Sequence, residues 1–372
     1  MKAWQVPELG EPRDVLTLAE VPDPVPGPGQ VLVRVLGAAA NFPDVLMCRG
    51  GYQVRPPLPY TPGIELCGEV VTPGPGQVLV RVLAAAANFF DALMCRGLYQ
   101  VRPPLPFTPG AELCGEVVAV GPDVTGIAPG GRLIGAPVGG AFAELALMNT
   151  ASALPAPDGL DDAEASAFFI TYQTGWFGLH RRAKLAAGET LLVHAAAGGV
   201  GSAAVQLGKA AGAHVIGVAG GPRKAEAVRA LGADVVVDRH TQDFVEVVKE
   251  VTGGRGADVV YDSVGGDTYA RSTKCIAFEG RILIIGFAGG TIQSAALNHA
   301  LIKNYSIVGL HWGLYQSKNP QLIRDCHAQL TKMVADGAIR PLVSERLGLD
   351  EVPAGLQRLA DGGTVGRVVF VP

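Results

Sequence analysis

The chain has 372 residues and a formal net charge of -4, with 48% hydrophobic and 17% charged residues. This length suffices for two domains with sizeable cores, and the composition is typical of a soluble enzyme. The net charge argues against a nucleic-acid partner. The sequence contains no uninterrupted apolar run of about 18 residues, so it predicts no membrane-spanning helix. The first residues lack the basic start and apolar core of a signal peptide, so we expect a cytoplasmic protein.

The first third of the chain contains a tandem duplication. Residues 26–71 (copy one) recur as residues 73–118 (copy two), an offset of 47, and the copies differ at only six positions. Each copy predicts a strand (30–36 or 77–83), a short helix around Asp44 or Asp91, a proline-rich loop and a second strand. Two copies are too few for a solenoid, and we expect one β-rich domain to hold only one such unit.

Chain continuity favours copy two as the copy in the native place. The surplus then leaves the fold at the proline- and glycine-rich stretch 22–29, where an insertion costs little. With copy one in place, the surplus would interrupt the strand predicted over 115–121. A hybrid of copy one up to Gly50 and copy two from Leu98 stays open, because near-identical sequences permit either register. We expect the displaced copy to pack on a surface, exchange between subunits or aggregate.

A glycine-rich turn after a buried strand is the most informative motif. The strand over 190–193 runs into the turn and then into a helix of small residues. Glycines let the backbone approach phosphate oxygens, and the N–H groups that open the helix attract an anion. A second strand at 214–218 completes a strand–helix–strand unit of about thirty residues. The pattern predicts a dinucleotide site, and an ordinary βα turn without a ligand is the alternative. The residues of the predicted site are Ala197, Gly198, Gly199, Val200 and Gly201.

The residues after the second strand indicate which dinucleotide binds. NAD sites usually place Asp or Glu there for the ribose hydroxyls, whereas this chain reads Ala219-Gly-Gly-Pro-Arg-Lys224. Two cations and no acidic residue favour NADPH, which carries a 2′-phosphate. We therefore assign Gly220 and Lys224 to the cofactor site. Ordinary solvated surface charges are the alternative interpretation.

Strands and helices alternate through the middle of the chain. This alternation predicts a doubly wound α/β sheet over about residues 173–308. The predicted strands are 235–237, 259–262, 281–285 and 307–310, and the predicted helices are 225–231, 243–251 and 269–277.

Several motifs together resemble a known family. They are Asn88-Phe-Phe-Asp91 (Asn41-Phe-Pro-Asp44 in copy one) and residues 97–99, 106–115, 194–201, 231–234 and 260–265. The chain resembles the zinc-independent NADPH:quinone oxidoreductase (zeta-crystallin-like) branch of the medium-chain dehydrogenase/reductase superfamily, over nearly its whole length once one copy is discounted. The resemblance implies a GroES-like β-barrel catalytic domain from residues 1–172 and 309–372. It implies an NADPH-binding Rossmann domain over 173–308.

The zinc ligands of metal-dependent relatives are missing. Those relatives need Cys where this chain has Asn88, and a His-Glu pair where it has Ala111-Glu112. Cys95 and Cys114 lack a supporting His or further Cys, so we predict no metal site. The six cysteines, four of which belong to the duplication, indicate reduced thiols rather than a disulfide framework.

The resemblance also implies roles for individual residues. Asn88 and Tyr99, or Asn41 and Tyr52 if copy one forms the cleft, would line the nicotinamide and substrate cleft, and Thr174 would contact the nicotinamide. A helix cap or a core-edge position is the structural alternative for each. We interpret Asp91 as a structural hydrogen-bonding residue. The implied cofactor residues also include Ser263, Val264, Phe287 and Arg239, which stands where many relatives have Tyr.

Three functions follow as hypotheses. The first is NADPH-dependent, zinc-independent hydride transfer to a quinone. The second is reduction of an activated alkene, an enone or 2-alkenal, in which Tyr99 would supply an oxyanion donor or a proton. The third is NADPH binding without turnover, in a protein inactivated by the duplication. The family further implies a homodimer through the sheet edge near 307–312, with cleft lining as the alternative role of Trp312 and Tyr315.

Overall fold

A computed structural model describes residues 1–24, 32–38, 40, 42–51, 53, 55–63, 66–105 and 107–372. Asn41, Tyr52 and Pro106, which belong to predicted motifs, lie outside these residues. The chain divides into two compact units, Met1–Leu79 with Val118–Pro129, and Val80–Val117 with Gly130–Pro372. The domain boundaries inferred from the resemblance stay a prediction.

The strands number sixteen within the described ranges. They are β1 (Lys2–Gln5), β2 (Thr17–Glu20), β3 (Leu32–Ala38), β4 (Leu66–Thr72), β5 (Gln77–Ala86), β6 (Leu113–Val120), β7 (Arg132–Val138), β8 (Leu145–Pro155), β9 (Thr190–Val193), β10 (His214–Ala219), β11 (Val235–Asp238), β12 (Ala257–Asp262), β13 (Ile276–Ile284), β14 (Ser306–Gly309), β15 (Val343–Gly348) and β16 (Arg367–Val371).

The α-helices are α1 (Pro12–Val15), α2 (Phe42–Cys48), α3 (Phe89–Cys95), α4 (Asp162–Ser166), α5 (Phe169–Trp176), α6 (Gly199–Ala210), α7 (Pro222–Ala230), α8 (Phe244–Val251), α9 (Asp267–Ser272), α10 (Leu297–Lys303), α11 (Gly313–Lys318), α12 (Pro320–Ala335) and α13 (Val352–Ala360). A π-helical turn over Phe177–Arg182 continues α5, and a short 3-10 turn, Leu349–Glu351, precedes α13. Among the described residues, no helix has both the length and the apolar character needed to cross a membrane.

The two copies of the duplicated segment form separate sheets. Copy two contributes β5 and β6 to a six-stranded sheet in the order β15-β16-β5-β6-β7-β8, which a further pairing of β5 with β8 closes into a barrel. Copy one contributes β3 and β4, which among the described strands pair only with each other, as a two-stranded antiparallel sheet. The structure therefore has the arrangement that chain continuity favours, and the hybrid register is wrong because β5, not β3, neighbours β6.

A parallel six-stranded sheet occupies the middle of the chain. Its order is β11-β10-β9-β12-β13-β14, so the sequence order reverses between β9 and β12. This is the doubly wound dinucleotide-binding topology, in which ligands bind at the carboxyl ends of the strands beside the reversal. The central strand β9 is buried at all four residues. The predicted α/β fold with a GroES-like barrel and a Rossmann sheet is confirmed.

One predicted helix ends earlier than expected. The helix predicted over 269–277 ends at Ser272, and Ile276 and Ala277 begin strand β13 instead. Ile276 pairs with Ala257 of β12 across the parallel ladder. This stretch matches a helical pattern in the sequence, but its last residues, Ile276 and Ala277, pair with the sheet instead.

Candidate active site

The glycine turn joins β9 to α6 at the carboxyl edge of the sheet. Gly198 caps α6 in an extended conformation, with φ -85° and ψ 179°. A Cβ added at Gly201 would lie 2.2 Å from the carbonyl oxygen of Ala195, so no other residue fits there without moving the turn. Glycine at this position lets the turn close tightly, and the N–H groups that open a helix after such a turn favour an anion such as a pyrophosphate.

Gly366, the residue before strand β16, is hydrogen-bonded to this turn. The backbone N–H of Gly366 donates to the carbonyl oxygen of Ala197 at 2.6 Å, and Gly198 forms a parallel bridge with Gly366. A Cβ at Gly199 would lie 2.9 Å from Cδ of Arg367. The Arg367 side chain thus packs directly against the predicted phosphate-binding turn.

Arg367 belongs to a buried polar cluster that contains the predicted catalytic Asn88. The Arg367 guanidinium forms an ion pair with Glu112, which is fully buried. Arg367 Nη1 also donates to Asn88 Oδ1 at 3.0 Å, and Asn88 Nδ2 donates to Glu112 Oε1 at 3.1 Å. The second Glu112 oxygen accepts from the backbone N–H of Ile170 at 2.8 Å. The Asn88 amide is consequently held at both its oxygen and its nitrogen.

Asp91 fixes the backbone of the same asparagine. Its Oδ2 accepts from the backbone N–H of Asn88 at 2.7 Å, which closes a capping box at the start of α3. Burial raises the pKa of Asp91 to about 7, and the hydrogen bond from Asn88 opposes this rise. Burial likewise raises the pKa of Glu112, against the opposing effect of Arg367. The structural interpretation of Asp91 agrees with these contacts.

Cations surround the turn after β10. A Cβ at Gly220 would lie 2.8 Å from Nε of Arg239, and Lys224 Nζ donates to the carbonyl oxygen of Gly362 at 2.6 Å. Burial, with Arg239 and Arg223 nearby, lowers the pKa of Lys224. This direction is expected where positive charges gather, and an anion bound among them would relieve their repulsion.

Asp238, which sequence reasoning missed, organises this cationic turn. Its Oδ1 accepts from the backbone N–H groups of Gly221 at 2.9 Å and His240 at 3.0 Å. These bonds lower the pKa of Asp238. Its position at the end of β11 was the available signal, because the carboxyl ends of parallel strands meet at one edge.

The predicted residues Ser263, Val264 and Phe287 meet beyond the ends of β12 and β13. The carbonyl oxygens of Ser263 and Val264 accept from Ala288 N at 3.0 Å and Gly289 N at 2.9 Å. Asp262 Oδ1 accepts from the N–H groups of Val264 and Gly265, both at 2.9 Å. A Cβ at Gly265 would lie 2.8 Å from Cδ1 of Phe287, so this ring covers the loop.

Thr174 and Tyr99 lie in different surroundings. Thr174 is buried in α5, next to Gln173, whose Oε1 accepts from the indole N–H of Trp312 at 3.2 Å. Tyr99 is half-buried and stacks on Phe90, with ring centroids 5.2 Å apart. Burial raises the pKa of Tyr99. Trp312 is itself buried against Phe169, which makes it a core residue rather than an open wall.

Glu112 and Arg367 are the main residues whose role sequence reasoning missed. Sequence reasoning considered Glu112 only as part of an absent zinc motif. Their partnership joins positions 255 residues apart, and no local pattern reports such a pair. Within the described part of the chain, no three His, Cys, Asp or Glu side chains are grouped as metal ligands.

Residues 199–328 match the zinc-binding dehydrogenase family. The alcohol dehydrogenase GroES-like domain family matches twice, over 27–76 and 74–158, which corresponds to the duplicated segment. A quinone oxidoreductase-like protein 2 homolog from Nematostella vectensis is 39% identical over 347 residues, 92% of this chain and 82% of that protein.

Solved structures agree with the fold over long alignments. Escherichia coli quinone oxidoreductase complexed with NADPH is 26% identical with a TM-score of 0.75, covering 100% of both chains. A 2-haloacrylate reductase is 32% identical with a TM-score of 0.70, covering 83% of this chain and 95% of that chain. The identity to the quinone oxidoreductase-like homolog, sustained over most of both proteins, exceeds what a shared fold alone requires. The chain therefore belongs to the quinone oxidoreductase-like branch of the medium-chain dehydrogenase/reductase superfamily.

Proposed function

We propose that this protein transfers hydride from NADPH to a quinone without zinc. The observation that carries the cofactor assignment is the pairing of two features at one sheet edge. One is the turn where a Cβ at Gly201 has no room. The other is the group of Arg223, Lys224 and Arg239 around Gly220. The first suits a pyrophosphate and the second suits a 2′-phosphate. When bound, NADPH supplies the hydride that the quinone accepts.

In this proposal, the chain's own residues bind the dinucleotide and orient it and the substrate. The loop of Ser263 and Val264, covered by Phe287, forms one wall for the dinucleotide, and Thr174 contacts its nicotinamide end. Tyr99 lines the substrate side. Asn88 acts as a positioning residue, because both polar atoms of its amide are engaged by Arg367 and Glu112.

Glu112 supports a mechanism without zinc. Its carboxylate accepts from Arg367, Asn88 and the backbone of Ile170, so its hydrogen-bonding capacity is directed to protein donors. Asn88 is a poor zinc ligand compared with the thiolate or imidazole that catalytic zinc sites use. A quinone needs no Lewis acid to accept hydride, since solvent completes its protonation.

Steady-state oxidation of NADPH by the full-length protein tests the proposal. The acceptors are ortho- and para-quinones, enones and 2-haloacrylate, with NADH in parallel and EDTA-treated enzyme as the metal control. We expect turnover with quinones and NADPH that EDTA does not change. Loss of turnover on chelation, with recovery on zinc addition, would overturn the zinc-free mechanism. Turnover with alkenes alone would overturn the quinone assignment.

Reduction of an activated alkene is the second candidate. The similarity to 2-haloacrylate reductase, at 32% identity, favours it. The half-buried hydroxyl-bearing ring of Tyr99 suits a donor to a developing enolate oxygen. The same acceptor panel separates the two candidates.

We also propose a homodimer formed through the edge of the parallel sheet. Among the described strands, β14 is the last of that sheet and pairs with a neighbour on one side only. Helix α10 carries Leu297, Leu301 and Ile302, each more than 70% exposed. Light scattering of the purified protein should give twice the mass of 38.4 kDa, and a monomer would refute this assembly. The cytoplasmic location stays a prediction.

A further inference from the structure

The duplication has created two nearly identical surfaces, only one of which is covered in its own unit. On copy one, residues 5–11 (the N-terminal segment) pack over the end of α2 and the loop at Tyr60. On copy two, the corresponding surface consists of Met94–Gly97, at the end of α3, and Phe107 with Thr108. We call the first surface the copy-one seat and the second the copy-two seat.

The N-terminal segment holds the copy-one seat through backbone hydrogen bonds. Val6 N donates to Tyr60 O at 2.8 Å, and Tyr60 N donates to Val6 O at 3.4 Å. Gly10 N donates to Cys48 O at 2.9 Å. These bonds use main-chain atoms of the seat, so they do not depend on whether position 60 is Tyr or its copy-two equivalent, Phe107.

Side chains of the segment add apolar and charged contacts. Val6 is fully buried and packs with Cys48, which is 2% exposed. Leu9 Cδ1 lies 2.8 Å from the position of a Cβ on Gly50. Arg49 forms an ion pair with Glu11 at 2.8 Å. The N-terminal segment therefore binds the copy-one seat through shape, main-chain hydrogen bonds and charge together.

Five residues of the copy-one seat recur in the copy-two seat, and the helix ends of the two seats have the same conformation. Met47, Cys48, Arg49, Gly50 and Thr61 recur as Met94, Cys95, Arg96, Gly97 and Thr108. The glycines adopt φ +70° in copy one and +67° in copy two. The helix ends with equivalent bonds, Gly50 N to Met47 O at 3.0 Å and Gly97 N to Met94 O at 2.9 Å.

At the end of α3, the copy-two seat is nevertheless uncovered within its own unit. Cys95 is exposed, whereas Cys48 is buried. No described atom of its own unit lies within 4 Å of the position of a Cβ on Gly97, whereas Leu9 covers the equivalent glycine of copy one within that unit. Leu98, Val101 and Leu105, on the adjoining loop, are 70%, 57% and 85% exposed. An apolar surface of this kind marks an interaction site.

We propose that the copy-two seat binds the N-terminal segment of a second copy of this chain. The occupant follows from the copy-one seat, since the same residues already bind that segment there. Glu11 of the incoming segment would pair with Arg96, as it pairs with Arg49 at the copy-one seat. A segment that leaves the copy-one seat of its own chain for the copy-two seat of the partner exchanges one set of contacts for a nearly equivalent set, as in domain swapping. This inference is independent of the proposed catalytic function.

Thiol cross-linking between two differently tagged chains tests the proposal. One chain carries Leu9→Cys and Cys95→Ser, and its partner is the native chain, which keeps Cys95 and has Leu9 at the segment position. The two are co-expressed, purified together and treated with a short bismaleimide. Peptide mass spectrometry identifies the linked residues, and the two seats give distinguishable peptides because the copies differ around the cysteine. Any link between positions 9 and 95 in this pair is intermolecular.

We expect a link between positions 9 and 95, and we expect Arg96→Glu in the native partner to reduce its yield about threefold through repulsion of Glu11. Glu11→Arg in the chain that carries Leu9→Cys should restore the yield. Arg49→Glu is the matched control at the copy-one seat, and it should raise the yield by releasing the segment. No intermolecular link, a link from position 9 to Cys48 alone, or indifference to Arg96→Glu would overturn the proposal.

Discussion

Arg367 and Glu112 form a buried ion pair beneath the glycine turn, with side chains that are 5% and 0% exposed. The pair links the last strand of the chain to the barrel and to Asn88. Because the Arg367 side chain also packs against Gly199, the pair connects the barrel to the turn that we assign to the cofactor phosphates.

Glu112→Gln should destabilise the protein strongly. The substitution leaves the Arg367 guanidinium buried without a counter-charge, and loss of one partner of a buried pair costs about 3–5 kcal/mol. Urea unfolding monitored by circular dichroism measures the change. Asp336→Asn, at the exposed Lys332–Asp336 pair, is the control and should cost at most about 0.5 kcal/mol. Equal effects of the two substitutions would contradict a structural role for the buried pair.

Asp91 should make stability decrease as pH rises from about 4 to about 7. Burial raises its pKa to about 7 in the folded protein, so the folded state keeps a proton that the unfolded chain has already lost. The free energy of unfolding therefore falls across this window and levels off above it, by about 4 kcal/mol in total from this group.

Asp91→Asn removes this contribution, since an amide does not titrate there. Urea unfolding of both proteins at a series of pH values tests the expectation. The difference in unfolding free energy between wild type and variant should change with pH across the window. Parallel curves would show that Asp91 has an ordinary pKa.

Gly201→Ala should weaken dinucleotide binding. The new Cβ would meet the Ala195 carbonyl oxygen at 2.2 Å, and displacement of the turn costs about 1–3 kcal/mol of strain. We expect the Kd for NADPH to rise about tenfold or more by nucleotide fluorescence titration. Gly309→Ala is the control, because no described atom lies within 4 Å of its Cβ position. Unchanged affinity in Gly201→Ala would place the pyrophosphate elsewhere.

Lys224→Ala and Arg239→Ala should reduce the preference for NADPH over NADH. Each removes a cation that we assign to the 2′-phosphate, and a hydrogen bond to a charged group contributes about 1.5–3 kcal/mol. The Kd for NADPH should rise about 10- to 100-fold, with that for NADH nearly constant. A parallel loss for both nucleotides would indicate a general structural effect of the substitution instead.

Tyr99→Phe distinguishes the two candidate reactions. If the hydroxyl donates to an enolate oxygen, turnover of enones should fall about 100-fold while turnover of quinones is retained. Tyr52→Phe changes the equivalent residue of copy one and is the matched control. An effect of Tyr52→Phe that exceeds the effect of Tyr99→Phe would assign the cleft to copy one.

Local patterns in the sequence predicted most of the Rossmann half of the fold. Alternating strands and helices predict the parallel sheet, and the glycines between β9 and α6 predict its anion-binding turn. These features depend on residues within about thirty positions of one another, where periodicity and turn chemistry act directly. The run Ala219–Lys224 predicts the cations near Gly220 for the same reason.

Tertiary structure alone decided the contacts of the candidate site. Glu112 and Arg367 are brought together by pairing of β16 with β5, and each looks like an ordinary surface charge in the sequence. Helix α9 ends at Ser272 because Ile276 pairs with β12 in the parallel sheet. For the duplication, the sequence contains both copies of each strand in nearly equal form, and only pairing with the rest of the barrel selects β5 over β3. Long-range partners supply that selection because a short apolar segment carries no information about which neighbour will bury it.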